Sequence, residues 1–206
     1  MARPSVEAER REQILRATCE VAANVGFRTL RVTDVARRVG CSSGTVHYYF
    51  PTKRELVQAA FEHNFRDSLE RRRPILESDD DPVTRLRRLI ASYLPDSDVT
   101  IRAWRVWAEL WVEALHDPDL RELNDVVYGA WRSKVLDIIA EGQADGTMRP
   151  GDPVMLANAM IGLVDGLAIQ LLLRSKNLGL RQVHEVAELV LSCVVLVPVP
   201  TLESLT

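Results

Sequence analysis

RVTDVARRVGCSSGTVHYYFPTKREL, from Arg31 to Leu56, is the most informative segment of this 206-residue chain. Its pattern predicts two short helices, of which the first ends at Gly40 and the second runs from Gly44 to Phe50, where Pro51 stops it. Two short helices joined by a tight turn that contains glycine are typical of the helix-turn-helix motif. The second helix of that motif enters the major groove of DNA. The segment therefore predicts a DNA-binding module.

The apolar residues of this segment are spaced to hold the two helices together, which leaves one face free. Thr33 is predicted to cap the first helix, and Ser42 or Ser43 the second. Small and hydroxyl-bearing side chains can contact base edges, and helix N-termini can bind phosphates. The alternative is that the aromatic cluster at 48–50 is core and Lys53 a solvated helix start. The residues expected to contact DNA are Thr33, Ser42, Ser43, Gly44, Thr45, His47, Tyr48 and Lys53.

The charge distribution favours a nucleic-acid partner for the N-terminal third of the chain. Residues 1–74 carry 14 Lys and Arg against 9 Asp and Glu, whereas residues 75–206 carry 12 against 20. A basic segment attracts phosphates, and the acidic remainder indicates a different task for the rest of the chain. The formal net charge of −3 hides this asymmetry.

Helical periodicity continues beyond this segment, and no clean alternating strand pattern interrupts it. We expect an all-α fold of about nine helices that begins with a three-helix DNA-binding head. The predicted domains are this head at 1–52 and a ligand-binding and dimerisation domain at 53–206, in which 53–74 is a connecting helix. Helices are predicted at about 7–25, 33–39, 44–50, 53–73, 83–94, 100–116, 119–145, 153–176 and 180–196.

Other classes of protein find little support in the sequence. The three scattered cysteines form no C-x-x-C pair, which argues against a disulfide framework or a metal site. The motifs of P-loop, G-x-S-x-G, dinucleotide-binding and H-E-x-x-H enzymes are missing, so we expect no enzyme and no cofactor. The charged N-terminus is unlike a signal peptide, and the apolar tract from Val154 to Leu173 contains Asp165. We therefore expect a cytoplasmic protein without a membrane partner, in which this tract is a buried helix.

The N-terminal segment resembles the signature of the TetR family of transcriptional regulators. The preceding residues ILRATCEVAANVGFRTL fit the same pattern. Two positions depart from it, because Cys41 stands where the family usually has valine, and His47 where tyrosine or leucine is frequent. The matching positions are Thr33, Val35, Ala36, Gly40, Ser42, Gly44, Thr45, Tyr48, Phe50, Lys53 and Leu56.

The resemblance implies a homodimer formed mainly by the last two helices, a helical ligand-binding domain, and release of DNA when an effector binds. The sequence agrees with a dimer, because the helix from Val154 is apolar nearly all round and the last helix carries two apolar stripes. A monomer with a well-covered central helix is the alternative. A dimer reads two half-sites, which predicts a near-palindromic operator. The expected interface residues are Met160, Val164, Leu167, Leu171, Val186, Leu189, Val190 and Cys193.

All four tryptophans lie within one short region, three of them along one face of a helix. Core packing explains such a stripe, but tryptophan faces also bind quaternary or protonated amines. Asp165, in an apolar helix, needs a partner or a cation. Residues 102–135 and 162–173 resemble the C-terminal domain of the BetI-like branch of the family, whose namesake responds to choline. The predicted ligand-binding residues are Trp104, Trp107, Trp111, Asn124, Trp131 and Asp165.

The sequence thus predicts a homodimeric transcriptional repressor that binds double-stranded DNA and is released by a small-molecule effector. The hypothesis for the effector is an amine or quaternary ammonium compound. The alternative from another class is a ligand-sequestering or helical interaction protein whose head no longer binds DNA. Specific DNA binding that survives competitor DNA would separate the two.

Overall fold

The computed structural model describes residues 6–196. In this range nine α-helices and a terminal π-helix follow one another without a β-strand, and an isolated bridge pairs Met148 with Leu196. The all-α prediction is confirmed. The elements are α1 (Val6–Thr29), α2 (Val32–Val39), α3 (Ser43–Tyr49), α4 (Lys53–Leu76), α5 (Pro82–Tyr93), α6 (Asp98–Ala114), α7 (Pro118–Ala144), α8 (Pro153–Leu172), α9 (Leu180–Val190) and the π-helix Leu191–Val195.

Most helix ends lie within a few residues of the predicted ones, because polar caps and breakers mark them in the sequence. The Ser42 hydroxyl accepts a hydrogen bond from the Thr45 amide at 3.0 Å, which starts α3 as predicted. Gly40 ends α2 with φ of 76°, a left-handed conformation that favours glycine. The side chains that cap later helices are those of Asp81 for α5, Ser97 for α6 and Asp152 for α8.

The start of α2 and the end of α4 correct the prediction. α2 begins at Val32 with the extended residue Arg31 as its N-cap, so Thr33 lies inside the first turn and caps nothing. α4 continues through Pro74 to Leu76 instead of ending at Arg73. A proline this close to the C-terminal end removes one backbone donor, and the Glu77 amide still bonds to the Arg73 carbonyl at 2.9 Å.

The last two helices are also shorter than predicted. α8 ends at Leu172, because Arg174 takes a left-handed conformation with φ of 53°. α9 ends at Val190, and the chain continues as the π-helix up to Val195. The final predicted turn of this helix is therefore wider than an α-helix.

The chain packs as two compact units. Unit 1 joins the residues up to Arg71 to Ser97–Val127, and unit 2 joins Arg72–Asp96 to the residues from Tyr128 onward. Unit 1 thus contains the three-helix head, most of α4, α6 and the first part of α7. The predicted functional boundary between residues 52 and 53 stays a prediction. Fully buried side chains include Ile14, Leu15, Val35, Val46, Leu56, Val106 and Leu110 in unit 1, and Leu86, Ile139, Ala157, Ala168 and Val183 in unit 2.

α8 is long and apolar enough to cross a membrane by length and composition, with a hydropathy of 1.7. Among the described helices, α8 alone has this length and composition, and 28% of its most apolar 18-residue stretch is buried inside the chain. One such helix is weak evidence, since core helices of soluble proteins meet the same criterion. The sequence predicted a buried helix, but α8 is only partly buried, because one of its faces is exposed.

Candidate nucleic-acid interface and ligand site

The two helices of the motif are held together by a small apolar core. Val35 and Ala36 of α2 are buried, as are Val46 of α3 and Phe50 just after it. The Cys41 amide donates to the Ala36 carbonyl at 2.9 Å, which closes the turn between the helices. This arrangement leaves the other face of α3 at the surface. The predicted helix-turn-helix geometry is therefore present.

The predicted DNA contacts lie at the surface of this motif, but they do not all have free polar groups. Tyr48 is 74% exposed, so its ring and hydroxyl can reach a partner. Ser42 and Thr45 are hydrogen-bonded to each other at the start of α3, with 3.0 Å between their hydroxyl oxygens. The Lys53 ammonium donates to the Arg28 carbonyl at 3.1 Å. Thr33, Gly44 and His47 are exposed, and Ser43 is half-buried.

The head is tied to α6 at the end of α1. The Glu109 carboxylate accepts a hydrogen bond from the Phe27 amide at 2.9 Å. Glu109 therefore makes an interhelical contact between α6 and the end of α1. Gly26 has φ of 76°, and a Cβ atom there would lie 2.9 Å from the carboxylate. Glycine at this position thus permits both the kink in α1 and the approach of Glu109.

Four of the six predicted ligand residues form a packed cluster in unit 1, which we call the tryptophan cluster (Trp104, Trp107, Trp111 and Asn124). The ring centroids of Trp104 and Trp111 lie 5.9 Å apart in an edge-on arrangement. Those of Trp107 and Trp111 lie 6.4 Å apart. The Trp111 indole donates to the Asn124 side-chain oxygen at 3.1 Å. These contacts agree with the core-packing interpretation of the stripe.

The other two predicted ligand residues belong to unit 2, in a group we call the Asp165 cluster (Arg72, Tyr93, Tyr128, Trp131 and Asp165). The rings of Tyr93 and Trp131 are stacked, with centroids 4.7 Å apart and an interplanar angle of 11°. The Asp165 carboxylate accepts a hydrogen bond from the Tyr93 hydroxyl at 3.3 Å and another from the Tyr128 hydroxyl. Asp165 thus has two phenol partners beside the ring stack.

A buried guanidinium completes this cluster. Arg72 is 3% exposed, and its central carbon lies 5.1 Å from the Tyr93 ring centroid and 5.5 Å from that of Trp131. Its nitrogens also donate to the Ser92 hydroxyl at 3.2 Å and the Ser92 carbonyl at 2.9 Å. The rings therefore already interact with a cation, one supplied by the chain. Sequence reasoning missed Arg72, Tyr93 and Tyr128, which carry no local signal of this role.

Burial raises the pKa of Asp165 to about 6, although the hydrogen bonds from Tyr128 and Tyr93 act to lower it. Burial also raises the pKa of Tyr93 and of Tyr128, so both phenols stay protonated and can donate. A carboxyl group with this pKa changes charge near neutral pH. A cation placed beside it would favour the ionised form.

An apolar cavity of about 20 Å³ adjoins the ring stack in unit 2. Its walls come from α5, α7 and α8, and Tyr93 and Trp131 are among them. This is room for about one water molecule, so a ligand could enter only if the surrounding side chains moved. The remaining lining residues are Leu86, Leu89, Ile90, Val135, Met160, Ile161 and Val164.

The predicted dimer residues are divided between the core and the surface. Met160, Val164 and Leu167 are at most 8% exposed and pack inside the chain, so the apolar character of α8 reflects unit 2 packing at these positions. Leu189 is 62% exposed, and Cys193 is exposed. Leu171, Val186 and Val190 are half-buried. The exposed apolar surface of α8 lies instead at Val154 and Met155, with Leu173 directly after the helix.

Comparisons with known families match two parts of the chain. The family described as bacterial regulatory proteins of the tetR family matches residues 14–60, which include α2 and α3. The family described as the C-terminal domain of BetI-type transcriptional repressors matches residues 82–192, more than half of the chain. The two matches together cover most of the described helices.

Curated relatives are similar over much of their length. The HTH-type transcriptional regulator BetI of Serratia proteamaculans is 26% identical over 181 residues, which cover 84% of this chain and 86% of the relative. BetI of Stenotrophomonas maltophilia is 35% identical over 125 residues, which cover 60% of this chain and 64% of that relative. The latter match therefore spans slightly less than two thirds of the relative. Both are transcriptional regulators and not enzymes.

Solved structures are similar over nearly the whole chain. A transcriptional regulator from Saccharomonospora viridis in complex with choline has a TM-score of 0.86 and 28% identity, and the match covers 92% of this chain and 98% of that one. A TetR-family regulator from Rhodococcus sp. has a TM-score of 0.79 and 29% identity, over 90% and 98% of the two chains. The match covers nearly the whole length of both regulators.

Proposed function

Because this chain belongs to the TetR family of transcriptional regulators and carries a BetI-type C-terminal domain, we propose that it represses transcription as a homodimer on a near-palindromic operator and leaves the operator when a quaternary ammonium ligand binds. The observation that carries the DNA-binding part is the exposed face of α3 on a buried helix-turn-helix core. Such a regulator acts in the cytoplasm, where bacterial DNA lies.

The proposed DNA contacts separate into reading and positioning residues. Gly44, His47 and Tyr48 are exposed on α3 and can approach base edges or phosphates. Ser42 and Thr45 bond to each other, so their first contribution is to start α3 in the right place. Lys53 is held by the Arg28 carbonyl, so it would add positive charge near the phosphates from a fixed position. Thr33 and Ser43 complete the proposed set.

The proposed dimer interface combines exposed and half-buried residues of α8, α9 and the π-helix. Leu189 and Cys193 are exposed, and Val186 and Val190 are half-buried beside them. Met155 adds an apolar side chain on α8 that is 69% exposed. Burial of such residues against a second copy would be favourable, at about 25 cal/mol for each Å². Two heads held in this way would read half-sites about 34 Å apart.

The proposed effector site is the Asp165 cluster. A quaternary ammonium group has no N–H to donate, so its recognition depends on aromatic faces and on an opposite charge. The stacked rings of Tyr93 and Trp131 offer the first, and the carboxylate of Asp165 offers the second. The choline bound to the regulator from Saccharomonospora viridis supports this ligand class.

Arg72 supports a link between the effector and DNA binding. Its guanidinium lies over the same rings that a ligand cation would contact, so the two positive charges would repel each other. Arg72 belongs to α4, the helix that follows the DNA-reading motif in the sequence. A coupling of about 1 to 3 kcal/mol between the two sites would change operator affinity about 5- to 150-fold.

The test measures both binding events on one protein. Gel shifts on the DNA upstream of its own gene, with competitor DNA present, should show a specific complex that choline weakens. Replacing both Thr45 and Tyr48 by alanine should abolish this complex, whereas Leu115→Ala, at a 71% exposed position outside the motif, should leave it intact. A protein that binds choline but retains no specific DNA complex would instead be a ligand-binding helical protein.

A further inference from the structure

A polar cleft lies in unit 1, between α1, α4 and α6. None of its lining residues is assigned to DNA or to the effector. Three arginines from three different helices line it, namely Arg16, Arg71 and Arg102. The cleft has a volume of about 150 Å³. At roughly 30 Å³ for each water, this space would hold a small polar molecule. We call it the arginine cleft.

The two carboxylates of the arginine cleft each have a close partner other than the three arginines. Glu20 forms an ion pair with Arg38, with 2.6 Å between the charged atoms. Asp67 lies 3.3 Å from the Nε2 atom of His63, which is 2% exposed at the same cleft. Burial lowers the pKa of His63, so this imidazole is neutral, and Asp67 is the acid left to balance the three arginines. The cleft therefore keeps an excess of positive charge.

The side chains of the three arginines lack close partners of their own. Within residues 6–196, the side chains of Arg16, Arg71 and Arg102 form no hydrogen bond and no ion pair of 4.0 Å or less. Burial lowers the pKa of the Arg71 guanidinium, Asp67 opposes this effect, and the nearby charge of Arg102 lowers it further. All three side chains are exposed, so water moderates their mutual repulsion, and an anion bound between them would remove it.

We propose that the arginine cleft binds a small oxyanion, a phosphate or carboxylate group, through the guanidinium groups of Arg16, Arg71 and Arg102. Guanidinium groups bind both kinds of anion with paired, charge-assisted hydrogen bonds. Donors from α1, α4 and α6 would surround the anion from three sides. The buried side chain of Asn64, which donates to the Ala103 carbonyl at 3.2 Å, helps to fix the separation of α4 from α6 beside it.

The two proposed sites bind ligands of opposite charge, so the two proposals can fail separately. The arginine cleft would take an anion, whereas the Asp165 cluster would take a cation. Choline should therefore not compete for the arginine cleft. A protein that binds phosphate but neither choline nor DNA would leave the present inference standing and overturn the proposed function.

The experiment follows thermal unfolding and calorimetric titration with inorganic phosphate and with succinate, at constant ionic strength set by sodium chloride. The unfolding temperature of the wild-type protein should rise with one or both anions, because a ligand that binds only the folded state stabilises it. A larger response to phosphate identifies a phosphate-bearing ligand, and a larger response to succinate identifies a carboxylate. If neither anion binds, the proposal is overturned.

Arg71→Gln and Arg102→Gln should weaken anion binding by about tenfold each. The matched control is Arg105→Gln on α6, which removes the same charge at an exposed position outside the cleft and should bind like the wild type. Without anion, Arg102→Gln should unfold at the same or a higher temperature than the wild type, since it relieves repulsion. A lower unfolding temperature with unchanged anion affinity would assign Arg102 a structural role and contradict the site.

Discussion

The two aromatic clusters use similar residues but hold different polar groups. In the tryptophan cluster, rings pack edge-on or tilted, and the Trp111 indole bonds to the neutral amide of Asn124. In the Asp165 cluster, two rings stack in parallel beside a buried guanidinium and a carboxylate held by phenols. The comparison teaches that the number of tryptophans does not locate a cation site. Stacked rings next to an ionisable group are the more specific indication.

The largest expected effect is the loss of choline affinity when the charge of the Asp165 cluster is removed. Asp165→Asn should weaken choline binding by roughly 100-fold, since an ionic partner in a partly buried site is worth about 2 to 3 kcal/mol. Isothermal titration calorimetry would measure the change. The control is Asn124→Ala, which removes the hydrogen-bond acceptor of Trp111 in the other cluster and should leave choline affinity unchanged. Equal losses in the two variants would remove the distinction between the clusters.

The second effect is the pH dependence of choline binding. Because the pKa of Asp165 is about 6, choline affinity should increase as the pH is raised toward 6, by about tenfold for each pH unit. Above this pKa the carboxylate is fully ionised, and the affinity should become constant. Choline does not titrate in this range, so the slope reports the protein. The folded state without ligand should show the opposite slope. Its carboxyl group holds a proton more tightly than in the unfolded chain, so this contribution to stability is lost as the pH rises through about 6.

Asp165→Asn supplies the control for both slopes. In this variant choline affinity should be weak and independent of pH between about 5 and 7, because the titrating group is gone. Calorimetry at several pH values would measure this, and thermal unfolding would follow the stability. A slope that survives in the variant would assign the titration to another group and refute the role given to Asp165.

The smallest expected effect compares one tryptophan from each cluster. Trp131→Leu should weaken choline binding by about fivefold, since a cation–π contact is worth about 1 kcal/mol. Trp104→Leu should leave choline affinity within experimental error. Both tryptophans are buried, at 6% and 2% exposure, so both variants should lower the unfolding temperature. If Trp104→Leu weakened choline binding more than Trp131→Leu did, the effector site would lie in the tryptophan cluster.

The sequence predicted the helical fold well, because the signals that end helices are local. Gly40 and Ser42 mark the turn of the motif, and Pro82 and Pro153 stand at the starts of α5 and α8. The start of α2 was predicted wrongly because Thr33 is a good capping residue that the chain does not use as one. In such cases the packing of neighbouring helices overrides the preference of a single residue.

The ligand site was less predictable, because its parts come from distant positions. Asp165 was recognised as a charge in an apolar helix, and Trp131 as one of four tryptophans, without evidence that they belong to a different unit from Trp104. Tyr93 is 72 residues from its partner Asp165. Arg72 stands in a run of three arginines, and the sequence gives no sign that this one is buried. Only tertiary packing selects it.

If the effector binds at the Asp165 cluster as proposed, Arg72 would also set how it is sensed. A guanidinium attached to the same chain competes at a constant effective concentration, whatever the amount of protein in the cell. The concentration of an incoming cation would have to exceed a threshold. The two hydrogen bonds that Ser92 accepts from Arg72 would set this threshold. The response range of the regulator would then be encoded in Ser92, a serine that touches neither DNA nor effector, and it could be adjusted there without altering either recognition surface.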